Sequence, residues 1–118
     1  MKKKFIICFD LDNVICTTIG KNYKKAKPKK KVVDLINELY EDNNEIRIFT
    51  ARFMGRNKDN IYKAKKQGFK LTSKQLKKWN VKYHKLIMGK PSYDLFIDDK
   101  AFGFKKNWHL SLKKILKK

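Results

Sequence analysis

Phe5-Ile6-Ile7-Cys8-Phe9-Asp10-Leu11-Asp12-Asn13-Val14 is the stretch on which the reading of this chain turns. Five apolar residues in succession are expected to form a fully buried strand, the kind found in parallel sheets with both faces covered. The run stops at two acids spaced two residues apart. In open α/β sheets ligands bind at the carboxyl ends of the strands, and a period of two projects Asp10 and Asp12 to the same side there. Carboxylates this close repel each other, which makes most sense if a cation sits between them. An acid pair with split pKa values and an ordinary helix-capping turn are the alternatives.

Downstream, Ile15 to Lys31 reads as a lysine-rich loop broken by Gly20, Asn22 and Pro28. Val32, Val33, Ile36, Leu39 and Tyr40 recur at helical spacing, and Asn43-Asn44 makes the stop. Glu45 to Phe49 is a second strand, reached by a right-handed crossover, with Thr50 at its end and Ala51-Arg52 beyond. Arg52 and Arg56, in a loop with Gly55, are candidates to clamp an anion through their planar forks; solvated loop arginines are the plain alternative. Lys58 to Gln67 reads as a short helix ended by Gly68. Thr72-Ser73-Lys74-Gln75 resembles a capping box that starts another, carrying Leu76 and Trp79.

Lys85 to Met88 is expected to be a third strand, with His84 before it more in keeping with a structural role than with a general base. Gly89-Lys90-Pro91 makes a tight turn, and Tyr93 to Ile97 is expected to be a fourth strand ending in Asp98-Asp99. Laid beside the first strand, it would place four carboxylates around one point. Carboxylate oxygens with room for water suit Mg²⁺ rather than zinc. The tail from Ala101 to Lys118 ends in a basic amphipathic helix expected to pack its apolar side on its own domain rather than on a membrane.

At 118 residues the chain is one domain, residues 1–118, and 42% hydrophobic content with 13% aromatics argues for a globular fold. The formal charge of +20, from 31 Lys and Arg against 11 Asp and Glu, attracts phosphorylated metabolites, nucleic acid or an acidic surface, or else reflects genome base composition. The apolar run after Met1-Lys2-Lys3-Lys4 is too short for a secretory signal, and no segment approaches the roughly 20 apolar residues a membrane span needs. Cys8 and Cys16 match no usual zinc spacing and read as reduced thiols in a cytoplasmic protein. No internal repeat and no glycine-rich nucleotide loop is present.

Asp10-Leu11-Asp12-Asn13-Val14, Thr50 closing a strand, Lys90, and Asp98-Asp99, in this order, resemble the four motifs of the haloacid dehalogenase superfamily. Ala26-Lys27-Pro28, Phe49 through Arg56, Trp79 through His84, and Gly89 through Ala101 are similar to its small capsule-biosynthesis-type phosphatases. The resemblance covers nearly the whole chain up to about Phe104, and says little about substrate. It implies a three-layer, Rossmann-like α/β fold: a central parallel sheet, helices on both faces, and no cap domain. It further implies that Asp10 attacks a phosphoryl group and that Asp12 serves as acid and base. Thr50 and Lys90 would hold the phosphoryl oxygens, and Mg²⁺ would sit on Asp10, Asp12, Asp98 and Asp99. Asn13-Val14 stands where the commoner pattern has Gly-Thr; Asn13, Arg52 and Arg56 are the candidate substrate contacts. Members without a cap are often oligomeric, a role Phe102, Phe104 and Trp108 would suit.

The expected function is therefore Mg²⁺-dependent hydrolysis of a small phosphorylated metabolite, a sugar phosphate first, through an aspartyl phosphate. A phosphatase of nucleotides or nucleic-acid ends is the runner-up, and a basic nucleic-acid-binding module without catalysis is the third reading.

Overall fold

The computed structural model describes residues 4–104 and 106–116, and in them a small parallel sheet organises the chain. The strand β1 (Ile6–Phe9) leads through two short strands, β2 (Cys16–Thr17) and β3 (Lys27–Pro28), to helix α1 (Lys30–Glu41). After β4 (Glu45–Thr50) come a single 3₁₀ turn, helix α2 (Ile61–Lys78), strand β5 (Lys85–Met88) and helix α3 (Trp108–Leu116). The main sheet has the order β1-β4-β5, all parallel, while β2 and β3 form a small antiparallel ribbon. It is an α/β fold with both main crossovers helical, as parallel neighbours require.

The register explains which side chains form the core. Ile7 lies opposite Ile46 and Phe9 opposite Ile48, while Leu86 and Met88 lie opposite Ile48 and Thr50. In a parallel ladder such partners point to the same face. On that face Phe9, Ile46 and Ile48 pack with Val32, Val33, Leu35, Ile36 and Leu39 of α1, Leu76 of α2 and Trp108 of α3. Complete burial of an Ile or Leu side chain contributes about 1.5–3 kcal/mol, so this single face carries most of the apolar stabilisation.

The opposite face carries Ile6, Cys8, Arg47, Phe49, Lys85 and Ile87, and no described helix belongs to its cluster. Ile6 is 62% exposed there. The expectation of a first strand buried on both sides, with helices on both faces of the sheet, is thus corrected. Among the described residues the layers are two, because α1, α2 and α3 all contribute to the core on one side.

Two further expectations change. The chain makes one helix from Ile61 to Lys78 where a break at Gly68 was expected. A Cβ at Gly68 would lie 2.2 Å from the Phe53 ring, so the glycine is a notch into which that ring fits, and the helix continues past it. Phe53 itself has φ of 66°, in the left-handed region, which aims its ring inward from the loop after β4. More consequentially, Tyr93–Ile97 forms no strand. Only Gly89, Lys90, Pro91 and Ser92 separate it from β5, far fewer than the dozen or more residues a return to a parallel position requires.

The tail behaves as its periodicity suggests: Trp108 is buried against Phe9, with Leu112 and Leu116 on the same core. That removes Trp108 as an exposed contact, whereas Phe102 and Phe104 remain exposed. His84 has a structural place, its Nδ1 accepting from the Ile46 N–H at 3.0 Å and its ring stacked on Tyr40. No described helix is long and apolar enough to cross a membrane.

Candidate active site

The carboxyl ends of β1, β4 and β5 open onto one cleft of about 440 Å³, lined among others by Asp10, Asp12, Asn13, Lys21, Tyr23, Arg52, Lys90 and Tyr93. Asp10 follows β1 directly, and its Oδ1 accepts from the Leu11 N–H at 2.8 Å. Its other oxygen, Oδ2, faces the Lys90 ammonium at 3.3 Å. Lys90 is held where it is by its own N–H, which donates to the Thr50 carbonyl at 3.2 Å across the β4–β5 edge. Gly89, with φ of 105°, makes the bend that allows it.

Burial of Lys90 works against its charge, but the Tyr93 hydroxyl and the Asp10 carboxylate outweigh burial and raise its pKa above the ordinary lysine value. It is therefore a fixed cation at any neutral pH. Its ammonium also lies 5.2 Å from the ring centroids of both Tyr93 and Phe96.

Asp12 is held by a different cation. The Arg52 Nε donates to its two oxygens at 3.2 and 3.0 Å, and Nη2 donates to Oδ1 at 2.9 Å. The Thr18 hydroxyl donates to Oδ1 as well. Arg52 is only 1% exposed. A buried guanidinium needs all its donors satisfied, and Nη1 donates to Thr72 at 3.3 Å and to the Gln75 side chain, both on α2. The Tyr23 ring covers its plane, with the centroid 5.0 Å away. Arg52 thus sets the orientation of Asp12 from a buried position behind the cleft, a role different from the open anion clamp expected of it.

The remaining candidates divide. Thr50 is fully buried, its hydroxyl accepting from the Arg52 N–H at 3.1 Å, so it shapes the turn that carries Arg52. The Asn13 side-chain oxygen accepts from the Thr18 N–H at 3.2 Å and braces the loop, with φ of 65° at Asn13 itself. Arg56 lines a neighbouring cavity, stacked on Phe53 and Tyr23, and does not reach the cleft. Lys21 and Tyr23 line the cleft and were missed, because nothing in the lysine-rich loop distinguishes them from their neighbours.

Asp98 and Asp99 do not line the cleft. Both are exposed, and Asp98 Oδ1 accepts from the Lys100 N–H at 2.9 Å in a local turn. No group of three or more Asp, Glu, His or Cys side chains suited to a metal gathers among the described residues. Within one copy, Asp10 and Asp12 are the carboxylates of the cleft, one engaged by Lys90 and the other by Arg52. That donor set does not by itself make a divalent cation site of the usual oxygen count. The correction follows from the missing fourth strand, which was to carry the second acid pair. The two thiols play no ionised part: burial pushes Cys8 and Cys16 above the ordinary cysteine pKa.

No protein-family model matches this chain, and no curated protein does. Among solved structures, the crystal structure of a target protein from Vibrio cholerae is similar, with a TM-score of 0.81 and 24% sequence identity over 99% of this chain and 98% of that one. At this identity the likeness speaks for a shared α/β fold over the whole length of both chains.

Proposed function

We propose that the chain is a phosphomonoesterase of the haloacid dehalogenase type, without a cap domain, acting on a small phosphorylated metabolite such as a sugar phosphate. The observation that carries this reading is the Asp10 carboxylate at the tip of β1, 3.3 Å from the Lys90 ammonium and beside a second acid that Arg52 holds in place. With Lys21, Arg52 and Lys90 against Asp10 and Asp12, the cleft carries one more cation than anion and suits a phosphate dianion.

In this reading a phosphoryl group enters with its non-reacting oxygens toward Lys90. Asp10 attacks phosphorus in line, its carboxylate plane set by the Leu11 N–H, and the P–O bond to the leaving group breaks. Asp12 donates a proton to the departing oxygen, then takes one from the water that attacks the aspartyl phosphate, releasing inorganic phosphate and restoring Asp10. Lys90 stabilises the charge on the transferring group at both steps. Within one copy the described residues do not make a metal site, and each of these roles falls to the chain's own side chains.

The test is a panel of phosphorylated metabolites and para-nitrophenyl phosphate, assayed with wild type and Asp10→Asn. Turnover by wild type and at least ~10³-fold loss in the variant is expected, as for removal of a nucleophile. Equal activity in the two would overturn the assignment. The charge of +20 favours a second reading, a nucleotide or nucleic-acid end as substrate. That reading requires KM to rise steeply with salt as counterion release weakens.

A further inference from the structure

We propose that Tyr93–Ile97 is a strand exchanged between two copies of this chain, each adding it in parallel to the free edge of the other's β1. It thereby delivers Asp98 and Asp99 to the other copy's Asp10. The inference rests on the phosphatase reading for its catalytic meaning, but not for the exchange itself.

The connection length carries the argument. β5 ends at the carboxyl edge of the sheet, where Lys90 meets Asp10. To lie parallel to β1 of its own copy, on its free edge, the chain would have to return to the amino edge and pass both β4 and β1. That means covering about 17 Å along the strands and about 14 Å across them. Gly89 to Ser92 reach about 14 Å when extended. Ser92 is moreover tied back, its N–H and hydroxyl both donating to Asp59 Oδ1 at 3.2 and 2.9 Å. Within one copy the stretch can only double back antiparallel, which carries Asp98 away from the cleft.

Two copies packed sheet against sheet, with strands pointing in opposite directions, remove the return along the strands. The carboxyl edge of one then lies next to the amino edge of the other. A chain leaving at Ser92 enters the second copy at the start of its β1 and runs parallel to it, and the two-fold axis makes the exchange reciprocal and closed.

Each half of such a contact is present and unpartnered. β1 has β4 on one edge and no strand on the other among the described residues. Tyr93–Ile97 makes no backbone hydrogen bond among the described residues, and Leu95 and Ile97 are 76% and 88% exposed. Its apolar alternation, Tyr93, Leu95 and Ile97 on one side, is that of a strand facing a core. An edge strand adding an extended segment is a general mode of recognition, and here the segment is encoded in the same chain. Joined to Asp10 and Asp12, the delivered acids make an oxygen donor set suited to Mg²⁺.

Two experiments separate the exchange from the chemistry. Phe96→Cys, oxidised against the exposed native Cys8 on the same face, should give disulfide-linked dimers on a non-reducing gel, lost in a Cys8→Ser background, whereas Leu95→Cys, on the core-facing side, should not. Light scattering should give twice the chain mass for wild type. Monomeric protein in solution, or cross-links confined within one chain, would overturn the exchange. Asp10→Asn and Asp98→Asn, each inactive alone, are then co-expressed with different tags. Mixed dimers should contain one intact site in two, restoring about a quarter of wild-type activity for random pairing. Cross-linked dimers active as wild type but without complementation would overturn delivery in trans. Cross-linked dimers with an inactive wild type would leave the exchange standing and remove the phosphatase reading instead.

Discussion

At the tips of β1, β4 and β5 the charged side chains hold one another: Asp10 with Lys90, Asp12 with Arg52, and Arg52 with Thr72 and Gln75 of α2. From Tyr93 to Phe104 the opposite holds, with Leu95, Ile97 and Phe104 largely in solvent and no strand formed. The two regions adjoin, since Lys90 contacts Asp10 on one side and the rings of Tyr93 and Phe96 on the other. The contrast teaches that one copy satisfies the charges at its strand tips and leaves an adjoining apolar segment without a partner strand; in the proposed reading, that segment carries the missing half of the phosphate site. A polar network buried this fully has to be satisfied locally, whereas an apolar strand can wait for a second chain.

The comparison breaks most visibly at Lys90. Lys90→Met should lower kcat/KM about 10²–10³-fold, the loss typical of one donor to a developing oxyanion, with partial recovery in Lys90→Arg. Steady-state kinetics on the best substrate measures it; an unchanged rate would detach Lys90 from the chemistry. Next comes Arg52→Met, which leaves Asp12 partly buried without its partner and should cost about 3 kcal/mol in urea unfolding. A cost below about 1 kcal/mol would mean the network is looser than its distances imply. Gly68→Ala should cost about 2 kcal/mol, because the new methyl group meets the Phe53 ring and the Met88 side chain.

The pH dependence sharpens the same contrast on a smaller scale. The folded-state pKa of Lys90 lies above its unfolded value, near 10.5, so the folded protein holds this proton more tightly. The resulting stability is fully present below that value and is lost as pH rises through the raised folded one. Unfolding titrations should therefore show a Lys90-dependent loss only above about pH 10.5. A loss between pH 7 and 9 that disappears in Lys90→Met would contradict the raised value.

Much of the body is readable from the sequence. The apolar runs Glu45–Thr50 and Lys85–Met88 and the helical spacing of Val32 to Tyr40 report their own burial, and topology then gathers Asp10, Asp12 and Lys90. Arg52 was not readable as a buried group, since what makes its burial tolerable lies at Asp12, Tyr23, Thr72 and Gln75, positions distant along the chain that no local pattern ties to Arg52. The continuity of α2 depended on the Phe53 ring filling a notch at Gly68. Tyr93–Ile97 has a strand's composition but no room to be one within its own copy. Its pattern was legible; the shortness of Gly89 to Ser92 was the overlooked signal.

The anchoring of Ser92 to Asp59, next to the rigid ring of Pro91, bears on timing. A stiff exit point leaves the arm little freedom to swing back, so two chains in the exchanged arrangement commit to one another while they fold. Purified, separately tagged dimers would then reshuffle only at the pace of global unfolding, hours or longer for a stable domain. Genes carried on one plasmid pair, rather than proteins stirred together, are what would reveal the trade.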